Sequence, residues 1–81
     1  MMKKIIVKRE HSEISLNLIK PDMPVFAYDK KTGELRGMVI GYGKQWCTAV
    51  KDGSKIVTHS YPTREICIRA DSEFYDFFVE D

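Results

Sequence analysis

Cys47, His59 and Cys67 have the residue types that carry nucleophilic or metal chemistry in this 81-residue chain. A thiol acts as an acyl-transfer nucleophile when an imidazole takes its proton and a third group orients the ring. Either cysteine with His59 would supply the first two parts. No local signature supplies the oxyanion hole or the orienting group, so the sequence reads as that of a protein that is not an enzyme. Neither His11 nor His59 has a partner at metal-ligand spacing, so no metal or other cofactor is expected. Gly41-Tyr42-Gly43-Lys44 has glycines and a lysine, but not the length or the following helix of a phosphate-binding loop.

Binding chemistry is better represented. Tyr28, Tyr42, Trp46 and Tyr61 fall at or near expected strand ends, interleaved with Lys30, Arg36 and Lys44. Aromatic rings beside cations on one loop face can stack bases while the cations meet phosphates. The same rings can equally pack the rim of a small core with their polar tips in water. Trp46 is the member of the set most suited to an exposed binding role.

The second candidate is the end of the chain. Residues 71–81 carry five acids and no base, whereas everything before them carries thirteen bases against seven acids, so a net charge of +1 conceals a strongly divided molecule. Phe74, Phe77 and Phe78 stand at i, i+3 and i+4, and Tyr75 and Val79 extend the stripe. This spacing predicts an acidic aromatic helix over 71–81, capped by Asp71 or Ser72. An eleven-residue helix with such a stripe requires cover. Its own barrel can supply that cover, or a basic partner can meet Phe74, Tyr75, Asp76, Phe78 and Glu80.

The elements that would position these groups follow from a period of two. Glu13 to Leu18 alternates strictly and pairs with residues 3–8 as an opening hairpin across 9–12. Lys20-Pro21-Asp22-Met23-Pro24 interrupts pairing, since each proline removes a donor and holds its predecessor extended. Strands are then expected at 25–29, 35–42, 45–50, 55–61 and 66–69. The turn Lys30-Lys31-Thr32-Gly33-Glu34 places glycine where a positive φ is needed, and Lys51-Asp52-Gly53-Ser54 carries the Asp-Gly hairpin signal. Gly37, Gly41 and Gly43 allow a bulge or sharp bend. Pro62-Thr63-Arg64-Glu65 fits one tight helical turn.

Five short strands within residues 21–70, a long first connection, two tight hairpins and a helical turn before the last strand resemble, in layout, the small barrels of Src-homology, Tudor and KOW type domains. The resemblance implies a mostly β, SH3-like five-stranded barrel (21–70) with an N-terminal β-hairpin (1–19) and the C-terminal α-helix (71–81), all in one domain. An OB-like barrel or a twisted antiparallel meander is the alternative. The N-terminus lacks the apolar core of a signal peptide and two cysteines suit a reducing compartment, so a cytoplasmic location is expected.

The expected function is binding without catalysis: a small protein-binding module or inhibitor, of phage-type or accessory kind, using Trp46, Tyr42, Tyr61, Phe74, Tyr75, Phe78, Asp76 and Glu80. A nucleic-acid or nucleotide-binding barrel using Arg36, Lys44, Trp46, Tyr42 and Tyr61 is the alternative. A homodimer formed through the edge of the N-terminal hairpin is the third arrangement considered.

Overall fold

A computed structural model describes residues 2–8, 13–14, 20, 22–52, 55–57 and 59–80. The described elements are β1 (Met2–Lys4), β2 (Val7–Lys8), β3 (Glu13–Ile14), β4 (Val25–Asp29), β5 (Leu35–Tyr42), β6 (Gln45–Asp52), β7 (Lys55–Val57), β8 (Ser60–Tyr61), α1 (Arg64–Asp71) and β9 (Tyr75–Glu80). The protein is mostly β, with one short helix among the described residues. Its main sheet is antiparallel, with strands in the order β1-β9-β4-β5-β6-β7, and β8 pairs with β6 beyond β7. The path does not close into a barrel. No helix among the described residues is long and apolar enough to cross a membrane.

The central meander forms where turn chemistry and alternation agree. Asp29 caps the β4–β5 turn, its Oδ1 accepting from the N–H of Lys31 at 2.7 Å and of Thr32 at 3.0 Å. Gly33 supplies the positive φ of 74° that the turn requires. Between Ala27 and Tyr28 the register shifts, so that Ala27 faces Gly37 but Tyr28 faces Leu35. A Cβ at Gly37 would run into the Ala49 carbonyl oxygen. Glycine there lets β6 approach next to the irregularity. Asp52 pairs with Lys55 as the Asp-Gly signal requires, and Gly53 and Ser54 lie outside the described residues.

The opening hairpin is described only as Val7–Lys8 against Glu13–Ile14, and the expected continuation to Leu18 lies outside the described residues. Residues 3–8 do not form one strand. Met2–Lys4 instead pairs with β9, in the register Met2↔Glu80, Lys3↔Val79, Lys4↔Phe78.

The end of the chain corrects the sequence reading. Residues 64–71, expected as a helical turn and a strand, form a helix, and residues 75–80, expected as a helix, form a strand inserted between β1 and β4. Thr63 is the N-cap, its side chain accepting from Ile66 N–H at 3.1 Å. Ser72, expected to start a helix, ends this one: its N–H donates to Ile68 O and its hydroxyl to Arg69 O. The strand wins over residues 75–80 because aromatic and β-branched side chains suit a pleated surface. Its place in the sheet then covers both flanks, which no eleven-residue helix could obtain alone.

Alternation along the strands sends Val25, Ala27, Val39, Phe77 and Val79 to the helix side, where they join Ile5, Cys67 and Ile68 as the core. Phe77, Ile68 and Val25 are among its largest fully buried side chains.

Candidate functional site

The residues singled out from sequence separate into two places. Trp46 and Tyr61 are paired across β6 and β8 and pack partly buried against the helix-side core. The Trp46 ring lies about 3.5 Å from where a Cβ of Gly41 would stand, so that glycine makes room for the ring. Its other neighbour is Arg64, whose guanidinium carbon stands 5.3 Å from the ring centroid. Arg64 also donates to Met23 O at 3.1 Å and to Lys20 O at 2.7 Å, so it fastens the segment before β4 to the start of α1. Tyr42 faces Gln45 at the β5–β6 hairpin, and Lys44 is exposed in its turn.

Beneath Trp46 and Tyr61 runs a buried polar chain. Tyr61 Oη donates to Asp71 Oδ1 at 3.0 Å, Cys67 Sγ donates to Asp71 Oδ2 at 3.8 Å, and Thr48 Oγ1 and Cys67 Sγ share a hydrogen bond of 3.3 Å. Burial pushes the Cys67 thiol up to about 12, partly countered by the Thr48 hydrogen bond. Burial, then the Asp71 hydrogen bond, raises the Tyr61 hydroxyl as well. A thiol so held is protonated at neutral pH and makes a poor nucleophile. Both cysteines are free and buried, and His59 is exposed just before β8. Among the described residues no three His, Cys, Asp or Glu side chains converge as metal ligands would.

The second place is the sheet face away from the helix. Register sets one row straight across four strands: Phe78 of β9 faces Phe26 of β4, Phe26 faces Met38 of β5, and Met38 faces Ala49 of β6. Lys4 of β1 continues the row beyond Phe78. Tyr28 stands edge-on to Phe78 with centroids 5.0 Å apart. On this face Leu35, Met38 and Ile40 keep 56%, 37% and 37% of their surface in water, while Cys47, which faces Ile40 across β5 and β6, is buried.

Its border is charged in both signs. Asp76 lies 3.6 Å from Lys4 Nζ and 3.5 Å from Lys30 Nζ, and Arg36 reaches Asp29 at 3.5 Å and Glu34 at 3.6 Å. One acid near the end of the chain, Asp76, therefore does meet lysines of the body, but from a strand. Hydrogen bonds from Thr32 and Lys31, with Arg36 nearby, hold the Asp29 carboxyl below the usual range. Of the remaining residues singled out from sequence, Phe74 is exposed in the turn after α1, Tyr75 packs partly buried against the core, and Glu80 is exposed opposite Met2.

Sequence reasoning passed over Phe26, Leu35, Met38 and Ile40. Their signal was present: residues 25–28 and 38–40 are apolar at consecutive positions, which leaves apolar groups on both faces of a strand. Comparison with family models, characterised proteins and solved structures returns no match.

Proposed function

We propose that this chain is a non-catalytic protein-binding module whose partner docks on the open face of the sheet. The observation that carries the reading is the Phe78–Phe26–Met38–Ala49 row with Leu35, Met38 and Ile40 exposed around it. Contiguous apolar surface on a small domain is uncommon, and where it is rimmed by polar groups it marks interaction sites. The border supports a protein over a nucleic acid, because Lys4, Lys30 and Arg36 each stand beside an acid that cancels the positive potential a phosphate backbone would need.

The test is capture from an extract of the native host, with nuclease treatment, comparing the natural chain with Met38→Asp/Ile40→Asp after both are shown to be folded by circular dichroism. A protein retained after nuclease and lost with the double substitution supports the reading. Retention abolished by nuclease would transfer it to nucleic acid, and retention indifferent to the substitutions would remove the open face from the mechanism.

A further inference from the structure

The open face carries a gradient of side-chain size. Across β9, β4, β5 and β6 its central row runs Phe78, Phe26, Met38, Ala49, from two rings through a thioether to a methyl. In the adjoining row Tyr28 of β4 faces Leu35 of β5. Leu35, Met38 and Ile40 are the members most in water, and the patch stops at Cys47, buried opposite Ile40.

A row that falls in size from one side to the other fits a reversed copy of itself. Two sheets packed face to face lie about 10 Å apart, with their strands aligned to within roughly 30°. Take a two-fold axis between the sheets, running along the strands midway between β4 and β5. It lays β9 of one copy over β6 of the other, and β4 over β5. Phe78 then meets Ala49 of the second copy and Phe26 meets its Met38, at each place a bulkier group against a smaller one. In the adjoining row Tyr28 of each copy meets Leu35 of the other. An axis laid across the strands instead would stack Phe78 on Phe78 and leave a gap between the two Ala49 methyls.

Charge selects the same occupant. Lys4 and Lys30 share Asp76, and Arg36 lies between Asp29 and Glu34, so the ion pairs at the border hold three bases against three acids. A border with charge of one sign repels its own copy and attracts an oppositely charged partner. This balanced border does neither. The apolar patch and its fit are left to choose the partner, and the patch fits itself.

We propose that the partner docked on the open face is a second copy of this chain, packed sheet to sheet about a two-fold axis that sets Phe78 over Ala49 and Phe26 over Met38. This rests on the protein-binding reading and names the partner.

Sedimentation equilibrium of the full chain from about 5 µM to 1 mM is expected to show reversible dimerisation. Because the border is balanced, the dissociation constant should change less than about threefold between 50 mM and 500 mM sodium chloride. In a mixture of isotopically labelled and unlabelled chain, filtered NOEs should join Leu35 to Tyr28, and Met38 to Phe26, of different copies. Met38→Asp/Ile40→Asp, shown folded by circular dichroism, should abolish the dimer. Ala49→Phe sets ring against ring and should weaken dimerisation by about tenfold or more, whereas Phe78→Ala/Ala49→Phe reverses the gradient and should restore it. A chain that stays monomeric up to 1 mM, a dimer indifferent to Met38→Asp/Ile40→Asp, one that dissociates as salt rises, or failure of the folded double variant to restore dimerisation would each overturn the proposal. A monomeric chain that nevertheless captures a different protein from host extract, and loses it with Met38→Asp/Ile40→Asp, would remove this inference and leave the protein-binding reading standing. Failure of that reading looks different: neither a dimer nor a captured protein would depend on Met38 and Ile40.

Discussion

On the helix side of the sheet Val25, Ala27, Val39, Phe77 and Val79 keep between 0% and 6% of their surface in water, while on the other side Met38 and Ile40, flanking Val39, are more than a third exposed and Phe26 and Phe78 are half-buried. The same strands serve both faces and both carry apolar side chains, so hydrophobicity alone does not distinguish core from surface here. Cover does. α1 lies against β6 and β5 on one face, and no helix among the described residues lies on the other. Apolar groups that contribute little to the fold are retained for another reason or tolerated without one.

The largest effect should come from the covered face. Phe77→Ala deletes one of the largest fully buried side chains, at a cost of about 3–5 kcal/mol. A domain of this size has only a few kcal/mol to lose, so the variant should be substantially unfolded by urea titration at 25 °C. Phe78→Ala, its neighbour on the open face, should cost less than half as much. Equal losses would mean that both faces are core and the contrast is false.

Gly37→Ala comes next. The new Cβ would run into the Ala49 carbonyl oxygen, and backbone cannot rotate away as a side chain can, so β5 and β6 must separate there. A loss of about 1–3 kcal/mol or more is expected, with faster exchange of the β5–β6 amides. Gly41→Ala, whose Cβ would meet the Trp46 ring at an ordinary 3.5 Å, is the control and should be far milder. If both behave alike, close strand approach is not why position 37 is glycine.

The polar chain under the helix should report through pH. Tyr61→Phe leaves the buried Asp71 carboxylate without its hydroxyl donor, a loss of about 1–3 kcal/mol. In the folded protein the Cys67 thiol is raised from 9.0 to about 12 and the Tyr61 hydroxyl is raised above 10.0. Between the unfolded and folded thiol values the unfolded chain gives up a proton that the folded chain keeps. The contribution of this group is therefore fully present below pH 9, falls as pH rises through this window and is lost by about 12. Chemical denaturation at pH 8, 9.5 and 11 checks this, and a flat profile would show that Cys67 is not as sequestered as its contacts imply. Cys67 should likewise resist thiol reagents at neutral pH until the protein unfolds.

The meander from Val25 to Val57 was legible because turn residues and alternation agree there: Asp29 and Gly33 in one turn, Asp52 before another, and clear strand lengths between. The end of the chain was not. Phe74, Phe77 and Phe78 match a helical stripe, and Tyr75, Phe77 and Val79 match a strand equally well, so periodicity alone could not decide a segment that is apolar on both faces. The helix before it is eight residues long and buries Cys67, Ile68 and Asp71, a stripe containing a carboxylate, which masks its period. The Tyr61 hydroxyl that satisfies this carboxylate stands ten residues away and comes near only through the fold. The candidate site divides in the same way. Trp46 and Tyr61 were conspicuous as aromatics and are partly buried against the core, Trp46 with Arg64 over its ring, whereas Met38 and Ile40 are ordinary residues made notable only by the absence of cover among the described elements.

The smallest effect on stability, and the sharpest test of the contrast, belongs to that last pair. Met38→Ser and Ile40→Ser remove side chains that already meet water, so little burial is lost and no fully enclosed cavity forms. Each should change stability by less than about 1 kcal/mol, with the meander amides unmoved outside the site. Serine also carries no charge, so any loss of partner capture follows from lost apolar contact and not from repulsion introduced at the interface. A fall in urea midpoint comparable to that of Phe77→Ala would instead place Met38 or Ile40 in a second core. The open face would then be needed for folding, and its apolar row would no longer speak for a partner.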